Sequence, residues 1–313
     1  MNNIWVNGKD WDPAKPVILL NSHHDTVKYT ESWTIDPFLP IEKEGKLYGL
    51  GSNDAGGSLV ALLAVFLALN EIKNKPYNLV FAASAEEEIS GKNGIECIVN
   101  DLGDVDLAIV GEPTQMQMAM AEKGLLVLDC VAIGKSGHAA REEGVNAIYI
   151  AMDDIKWIKN YAFPKKSDFL GNVKMTVSQI NAGYQHNVMP DRCSFVVDIR
   201  SNGLYTNEEI FKIIKKQLKS EVSARSFDLR SSQISIEHPV VQKGIKLGLG
   251  YFGSPTMSDQ AKMPFPSIKI GPGDSSRSHT ADEFIYIDEI YEGIDTYLEL
   301  LKDLIIPKNN IKK

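Results

Sequence analysis

The chain has 313 residues, 43% hydrophobic and 24% charged, which is the composition of an ordinary globular protein rather than of a disordered or fibrous one. The net charge of −8 argues against nucleic acid or an anionic membrane surface as a partner. The longest apolar run, 59–69, is shorter than the roughly 20 residues that a membrane-spanning helix needs, and no signal-peptide pattern is present. We therefore expect a cytoplasmic protein.

The three cysteines, Cys97, Cys130 and Cys193, are widely spaced and form no C-x-x-C pair. This spacing is typical neither of a disulfide framework nor of a thiolate zinc site. We therefore expect all three to be buried and to pack as small apolar side chains.

Short apolar strands alternate with helical segments in the first part of the chain, and polar residues follow each strand. We predict strands at 17–22, 78–84 and 106–111, a buried helix at 58–73 and a further helix at about 90–102. This alternation predicts an α/β fold with a mostly parallel, doubly wound sheet. Ligands bind at the carboxyl ends of such strands, so we expect the polar residues there to form the functional site.

The pattern changes at residue 125. Strand, helix, strand, strand, helix and strand are predicted in turn at 125–133, 145–161, 172–180, 192–199, 206–219 and 223–236. This is the β-α-β-β-α-β order of a ferredoxin-like unit. The α/β pattern then resumes with a strand at 266–270 and an amphipathic last helix from Asp288. We therefore expect residues 125–236 to form a domain inserted into a first one, which comprises residues 1–124 and 237–313.

Imidazole and carboxylate side chains collect at the predicted strand ends and ahead of the buried helix. They are His23, Asp25, Asp54, Glu87, Glu88, Glu112 and, after the insertion, His279. Nitrogen and oxygen ligands without a thiolate are typical of a zinc-type site. A single catalytic zinc needs three protein ligands, whereas five suit two ions roughly 3.5–4 Å apart that share a bridging carboxylate. The sequence therefore favours a site for two metal ions.

Two local patterns suggest how this site divides its work. Neighbouring side chains point to opposite faces of extended backbone, so one of Glu87 and Glu88 can bind metal while the other is free to act as a general base. The same period places His23 and Asp25 on one side, where the Asp25 carboxylate can set the tautomer of the imidazole.

Several segments, in this order along the chain, together resemble one family. They are Ser22–Val27, Gly45–Asp54, Glu86–Glu88, Gly111–Thr114, Ser136–His138, Asn187–Asp191, Gly271–Gly273 and Ser278–Glu283. The resemblance is to the dinuclear zinc aminoacylase and carboxypeptidase superfamily, which contains acetylornithine deacetylase and succinyl-diaminopimelate desuccinylase. It extends from Val17 to the last helix and implies a catalytic domain with an inserted dimerisation domain.

The resemblance also implies a role for each candidate residue. Glu87 would be the general base and Asp25 an orienting carboxylate. The metal ligands would be His23 and Glu112 for one ion, Glu88 and His279 for the other, and Asp54 as the bridge between them. The two divalent ions would be zinc, with cobalt as the alternative.

Three residues of the inserted domain receive roles through the same resemblance. His138 would reach the active site of a partner subunit and polarise the scissile carbonyl, which implies a homodimer. Arg200 and Asn187 would bind the substrate carboxylate and help to stabilise the oxyanion. A guanidinium suits this task because it binds a carboxylate through two parallel hydrogen bonds.

The expected activity is hydrolysis of the amide bond of an N-acyl amino acid, a small molecule. Glu112, together with the segments 256–260 and 271–279, resembles acetylornithine deacetylases, including forms that act on other N-acyl-ornithines in arginine biosynthesis. The alternatives are succinyl-diaminopimelate desuccinylase or a related metallo-carboxypeptidase or dipeptidase. A non-enzymatic alternative is a truncated, inactive paralogue that serves as a dimerisation or binding subunit.

One departure from the family lies ahead of His23. Family members carry a helix and at least one strand before this position, and we expect residues 1–15 to supply neither. The missing element would leave apolar surface uncovered on the sheet or on 59–69, at a cost of roughly 25 cal/mol per Å².

Overall fold

The computed structural model describes residues 2–141 and 143–308 of the chain. The chain divides into two compact units. Unit 1 comprises Met1–Ala121, Gln233–Ser254 and Ser258–Lys313, and unit 2 comprises Glu122–Ser232 and Pro255–Met257. The boundaries predicted after residue 124 and before residue 237 lie close to these limits, while the catalytic and dimerisation roles of the two parts stay predictions.

The strands and helices follow the chain in this order. The strands are β1 Ile4–Asn7, β2 Val17–His23, β3 Ile41–Lys43, β4 Lys46–Tyr48, β5 Asn78–Ser84, β6 Leu107–Val110, β7 Met118–Glu122, β8 Gly124–Ile133, β9 Gly137–His138, β10 Lys174–Ala182, β11 Val188–Met189, β12 Arg192–Ser201, β13 Glu221–Ala224, β14 Ser232–Gln233, β15 Tyr251–Ser254, β16 Ser267–Lys269 and β17 Phe284–Tyr286. The α-helices are α1 Gly57–Asn70, α2 Ala147–Asn160, α3 Asn207–Gln217, α4 Pro239–Lys246 and α5 Ile287–Leu301.

The central sheet is mixed and has eight strands among the described residues. Their order is β1–β5–β2–β6–β16–β7–β14, and β15 also pairs with β7. Its middle is parallel, because β2 pairs in parallel with β5 and with β6, and β16 pairs in parallel with β6. The flanking strands β1 and β7 are antiparallel to β5 and β16. Every residue of β2, β5 and β6 is buried, as expected for parallel strands covered on both faces. The predicted α/β class is confirmed, with antiparallel strands added to the parallel core.

The predicted helix at about 90–102 is wrong. Only a 3-10 turn, Ile95–Cys97, forms there. Gly94 lies so close to the preceding turn that a Cβ on it would approach the Ala85 carbonyl oxygen to 2.6 Å. Ile98 and Leu102 are still buried in the same core cluster as Val80 of β5, so the apolar spacing indicates burial rather than a regular helix.

Helix α1 also packs on the central sheet. The stretch Ser52–Asn70 is the one candidate membrane span by length and composition among the described residues, and half of it is buried in the protein. Its regular part, α1, has 14 residues and is about 21 Å long, against about 30 Å for a bilayer core. It packs on β2, β5 and α5, which is the arrangement of a core helix.

The residues ahead of His23 supply a strand, contrary to expectation. β1 pairs with β5 along the edge of the sheet, and all four of its residues are exposed. On α1, the side chains of Val60, Leu63 and Leu67 are also exposed.

Unit 2 contains a four-stranded sheet of order β10–β12–β8–β13 in which each strand is antiparallel to its neighbours. Buried and part-buried residues alternate along β8, and its buried side chains form a core with those of α2 and α3. The last predicted strand, 223–236, is much shorter than expected. β13 ends at Ala224 because a turn follows, in which the Ser226 hydroxyl contacts Asp228.

The cysteines differ between the two units. Cys130 and Cys193 are buried in the core of unit 2, as predicted. Cys97 is exposed, contrary to prediction, because it lies on the outer side of the 3-10 turn, where its thiol donates to the Lys92 carbonyl.

Candidate metal centre

Three neighbouring parallel strands of unit 1 carry the candidate residues at their carboxyl ends. His23 is the last residue of β2, Glu87 and Glu88 follow β5, and Glu112 follows β6. The register of the strands places these ends side by side at one edge of the sheet. These side chains therefore lie close together, as expected, because the strands that carry them are parallel.

Asp54 lies between two imidazoles. It occupies an irregular turn, Ser52–Gly56, immediately before α1. One carboxylate oxygen lies 3.2 Å from Nε2 of His23, and the other lies 3.6 Å from Nε2 of His279. The two oxygens of one carboxylate thus face the two imidazoles separately, which is the geometry that a bridging ligand requires.

Each imidazole also has a glutamate beside it. Nε2 of His279 lies 3.0 Å from the Glu88 carboxylate, and Nε2 of His23 lies 3.8 Å from that of Glu112. These contacts place Glu112 beside His23 and Glu88 beside His279, and which ion each residue would hold stays a prediction. His23 is only 1% exposed, whereas the His279 side chain is 53% exposed. The centre therefore opens towards solvent on the His279 side.

Glu87 belongs to the same cluster. Its carboxylate oxygen and ligand atoms of His23 and Glu112 all lie within 4.8 Å of one another, as do those of His23, Asp54 and Glu88. The prediction that Glu87 and Glu88 lie in extended backbone is wrong, because they form a turn that follows Glu86 at φ 58°. A tight turn after β5 directs both carboxylates into the site.

The carboxylate of Asp25 contacts the glutamates rather than the imidazole. Its oxygens accept the backbone N–H groups of Glu87 and Glu88 at 3.1 and 3.2 Å. Nδ1 of His23 is 2.9 Å from the Asp25 backbone carbonyl but 3.7 Å from its carboxylate. This differs from the predicted contact, because β2 ends at His23 and the two-residue period does not continue to Asp25.

The electrostatics of the cluster favour a cation. Burial and the charge of Glu112 raise the pKa of Glu87 well above its ordinary value, and burial and the charge of Asp54 raise that of Glu88. Burial alone would lower the pKa of His23, but its hydrogen bond to Asp54 and the charges of Glu112 and Glu87 raise it. Clustered carboxylates of this kind are stabilised by bound divalent ions. The oxygen and imidazole donor set fits such ions.

The remaining predicted residues lie in unit 2. The pairing of β9 with β11 places His138 opposite Val188, and the Ala139 amide donates to the Asn187 carbonyl at 3.0 Å. His138 and Asn187 are therefore close neighbours, and both are exposed. Arg200, near the end of β12, is half-buried and binds both carboxylate oxygens of Asp198.

Two buried groups near the centre were not predicted. Asp259 accepts hydrogen bonds from the Asn21 amide and the Ser84 hydroxyl, both of which are polar residues inside otherwise apolar strands. These two polar residues are the sequence feature that could have indicated a buried partner such as Asp259. Glu283 accepts backbone N–H groups from the Asp54 turn, and no sequence pattern identifies such backbone contacts.

The family model for Peptidase family M20/M25/M40 matches residues 19–303. An acetylornithine deacetylase from Buchnera aphidicola is 31% identical over 292 residues, 86% of this chain and 75% of the relative. A LysW-lysine/LysW-ornithine hydrolase from Sulfurisphaera tokodaii is 28% identical, covering 96% and 85%. A succinyl-diaminopimelate desuccinylase, also from Buchnera aphidicola, is 30% identical, covering 69% and 60%.

Solved structures show the same fold. A metallo-carboxypeptidase of the M20 family from Sulfolobus solfataricus has a TM-score of 0.73 at 19% identity, covering 96% of this chain and 87% of that one. A dinuclear metal-binding M20 peptidase from Bacillus subtilis has a TM-score of 0.68 at 15% identity, covering 96% and 83%. The chain belongs to peptidase family M20/M25/M40 and is an amidohydrolase of that family. The predicted family and enzyme class are confirmed.

Proposed function

We propose that this enzyme hydrolyses the amide bond of an N-acyl-ornithine, acetylornithine first among them, with two metal ions. One observation carries the two-metal part: the oxygens of Asp54 face His23 and His279 separately. The substrate class is supported by two relatives whose names, acetylornithine deacetylase and LysW-ornithine hydrolase, share ornithine.

Five residues would hold the two divalent ions, zinc or cobalt. His23 and Glu112 would hold one, Glu88 and His279 the other, and Asp54 would bind both. Bound there, the ions would polarise the substrate carbonyl and lower the pKa of water. Asp25 would keep Glu87 and Glu88 in place through their backbone N–H groups.

Glu87 would move the proton in this reaction. Its carboxylate would accept a proton from the attacking water and deliver it to the nitrogen of the leaving amine. Burial and the charge of Glu112 raise the pKa of Glu87, which suits a group that must both accept and release a proton near neutral pH. The products are a carboxylate and a free amine.

The proposal gives three residues of unit 2 a role in binding and activating the substrate. His138 would donate to the carbonyl oxygen as negative charge develops, Asn187 would assist it, and Arg200 would bind the substrate carboxylate. The β-α-β-β-α-β order of β8, α2, β10, β12, α3 and β13 supports a ferredoxin-like domain. We place the dimer interface on this domain, with His138 acting in the active site of the partner subunit. The exposure of His138 and of the edge strand β10 supports that placement.

Two further activities fit the same ligand set. A desuccinylase for succinyl-diaminopimelate is supported by a relative of that name, and a metallo-carboxypeptidase or dipeptidase by the structural neighbours. An inactive paralogue is the non-enzymatic alternative. The clustering of His23, Asp54, Glu87, Glu88 and Glu112, with His279 beside Glu88, argues against it. The proposed setting is arginine biosynthesis in the cytoplasm.

The test is a side-by-side assay. Zinc-loaded and cobalt-loaded protein would be offered acetylornithine, succinylornithine and succinyl-diaminopimelate, and kcat/KM would be compared. We expect an ornithine derivative to give the largest value and each chain to hold two ions. A larger value for succinyl-diaminopimelate would reassign the substrate, and a protein without metal or turnover would support the inactive paralogue.

A further inference from the structure

Glu283 places a buried carboxylate against the turn that carries Asp54. The Glu283 side chain lies just before β17 and the residue is 2% exposed. One of its oxygens accepts the backbone N–H groups of Asn53 and Asp54 at 2.9 and 2.8 Å, and the other accepts that of Gly51 at 3.1 Å. Three amides of one irregular turn therefore converge on a single side chain.

Asn53, which belongs to the same turn and is fully buried, connects that turn to Asp274 and Ser278. Its side-chain nitrogen donates to the Asp274 carbonyl and to the Ser278 hydroxyl at 3.0 and 3.3 Å. Its side-chain oxygen accepts the Asp274 amide at 3.0 Å. Gly273 has φ 89°, and a Cβ on it would lie 2.6 Å from that same oxygen, so a glycine is needed for this approach.

These contacts join two loops, each of which carries a proposed metal ligand. The first loop contains Asp54, and the second contains His279, four residues before Glu283. We propose that Glu283 is a positioning residue that fixes the bridging Asp54 relative to His279 before any metal binds. This inference rests on the metal centre of the proposed function and is independent of the substrate.

A carboxylate suits this task better than an amide. Both of its oxygens accept hydrogen bonds, so all three backbone donors are satisfied. In Glu283→Gln an NH₂ group replaces one oxygen. This donor would lie opposite another donor, the Gly51 N–H group, so no hydrogen bond could form there. The negative charge that attracts the three amides is also lost. Groups that orient a metal ligand typically change metal affinity by about 10- to 100-fold when they are mutated.

The experiment compares metal affinity in wild-type enzyme, Glu283→Gln and the matched control Asp282→Asn. Asp282 is the adjacent acid of the same loop, and its exposed carboxylate binds the Thr34 backbone and hydroxyl rather than the Asp54 turn. Cobalt and zinc affinities would be measured by chelator competition, with the visible absorption of bound cobalt and the unfolding midpoint of the metal-free protein recorded in parallel.

We expect Glu283→Gln to bind cobalt at least about 10-fold more weakly and with an altered spectrum, and Asp282→Asn to stay within about twofold of wild type. Equal affinity in wild type and Glu283→Gln would overturn the inference, and so would equal losses in both variants. A wild-type protein that binds no metal would instead overturn the proposed centre.

Hydrogen exchange on the wild-type protein tests the inference even if Glu283→Gln does not fold. In metal-free wild type, the amides of Asn53 and Asp54 should exchange as slowly as those in the middle of β2. Exchange as fast as that of the exposed loop amides around Lys28 would show that the turn is not held before metal binding, and would overturn the inference.

Discussion

The two units place their proposed functional residues in opposite environments. In unit 1, His23, Asp54 and Glu112 are buried or nearly so. His23 lies 3.2 Å from the Asp54 carboxylate and 3.8 Å from that of Glu112, and the Asp54 amide donates to Glu283. In unit 2, His138 and Asn187 are exposed on a short two-stranded ladder. Buried carboxylates that raise one another's pKa need a counter-ion, whereas exposed hydrogen-bonding groups need a molecule that arrives from outside. The contrast agrees with the roles proposed for the two units, which are metal binding in unit 1 and substrate recognition in unit 2.

The supporting contacts differ in the same way. Glu283, Asn53 and Asp25 use side chains to hold backbone in unit 1, so the ligands are in place through several independent contacts. In unit 2 the Arg200 guanidinium is already bound to Asp198, its neighbour on the same face of β12. We expect substitutions of the proposed metal ligands in unit 1 to change metal binding, and those at exposed positions of unit 2 to change turnover alone.

The largest effect should come from Glu87. Glu87→Gln removes the proton acceptor, and we expect kcat to fall by a factor on the order of 10²–10⁴. Steady-state kinetics on acetylornithine and metal analysis of the same sample would measure this. Two retained ions would show that Glu87 is a base, whereas loss of one would make it a ligand.

The control for Glu87 is its neighbour. The Glu86 carboxylate binds the Asn93 side chain and backbone rather than the ligand cluster. Glu86→Gln should therefore keep kcat within about threefold of wild type, a change worth less than 1 kcal/mol. Full activity in Glu87→Gln would contradict the mechanism.

The next effect tests the role of unit 2. His138→Ala should lower kcat about 100-fold through loss of one donor to the oxyanion, while the unfolding midpoint and metal content stay unchanged because the residue is exposed. His186→Ala, an exposed imidazole nearby, is the matched control.

Mixing variants decides whether His138 acts across a dimer. Randomly mixed subunits of His138→Ala and Glu87→Gln should recover about a quarter of wild-type activity, because half of the dimers would each contain one intact site. If exchange of subunits is demonstrated and no activity returns, His138 acts within its own chain.

Removal of metal should lower the stability of unit 1 more than that of unit 2. A chelator should destabilise the enzyme, and metal restored at 100 times Kd should add about 2.7 kcal/mol to the free energy of unfolding for each ion bound. Hydrogen exchange should show the added protection around β2 and β5 of unit 1. Asp54→Asn should respond far less to metal, and an equal response would exclude Asp54 as a ligand.

The smallest effect concerns the cysteines. Cys97 of unit 1 is exposed, whereas Cys130 and Cys193 are buried, and burial raises the pKa of Cys130 to about 12. A thiol reagent should label Cys97 rapidly in the native enzyme and all three residues after denaturation, as mass spectrometry would show. Rapid native labelling of Cys130 would mean that the core of unit 2 opens readily.

The local sequence predicted the strands and helices correctly where a single pattern determined them. The run 78–84 forms a strand over those same residues, because an unbroken apolar stretch between polar ones leaves few alternatives. It failed at 90–102, where helical spacing is present but only a 3-10 turn, Ile95–Cys97, forms. It also missed β7 and α4, which have only 5 and 8 residues and so offer too short a stretch for a pattern to be recognised.

The sequence by itself determined the amidohydrolase family and the α/β class, because ligand-type residues recur at the ends of apolar strands in a characteristic order. Only the tertiary structure decided that a turn directs Glu87 and Glu88 into the site, that Asp25 holds their amides, and that Glu283 holds the Asp54 turn. The physical reason is that these contacts use backbone N–H groups, which every residue other than proline carries. Their partners are selected by the approach of distant segments, and no local pattern of side chains records that approach.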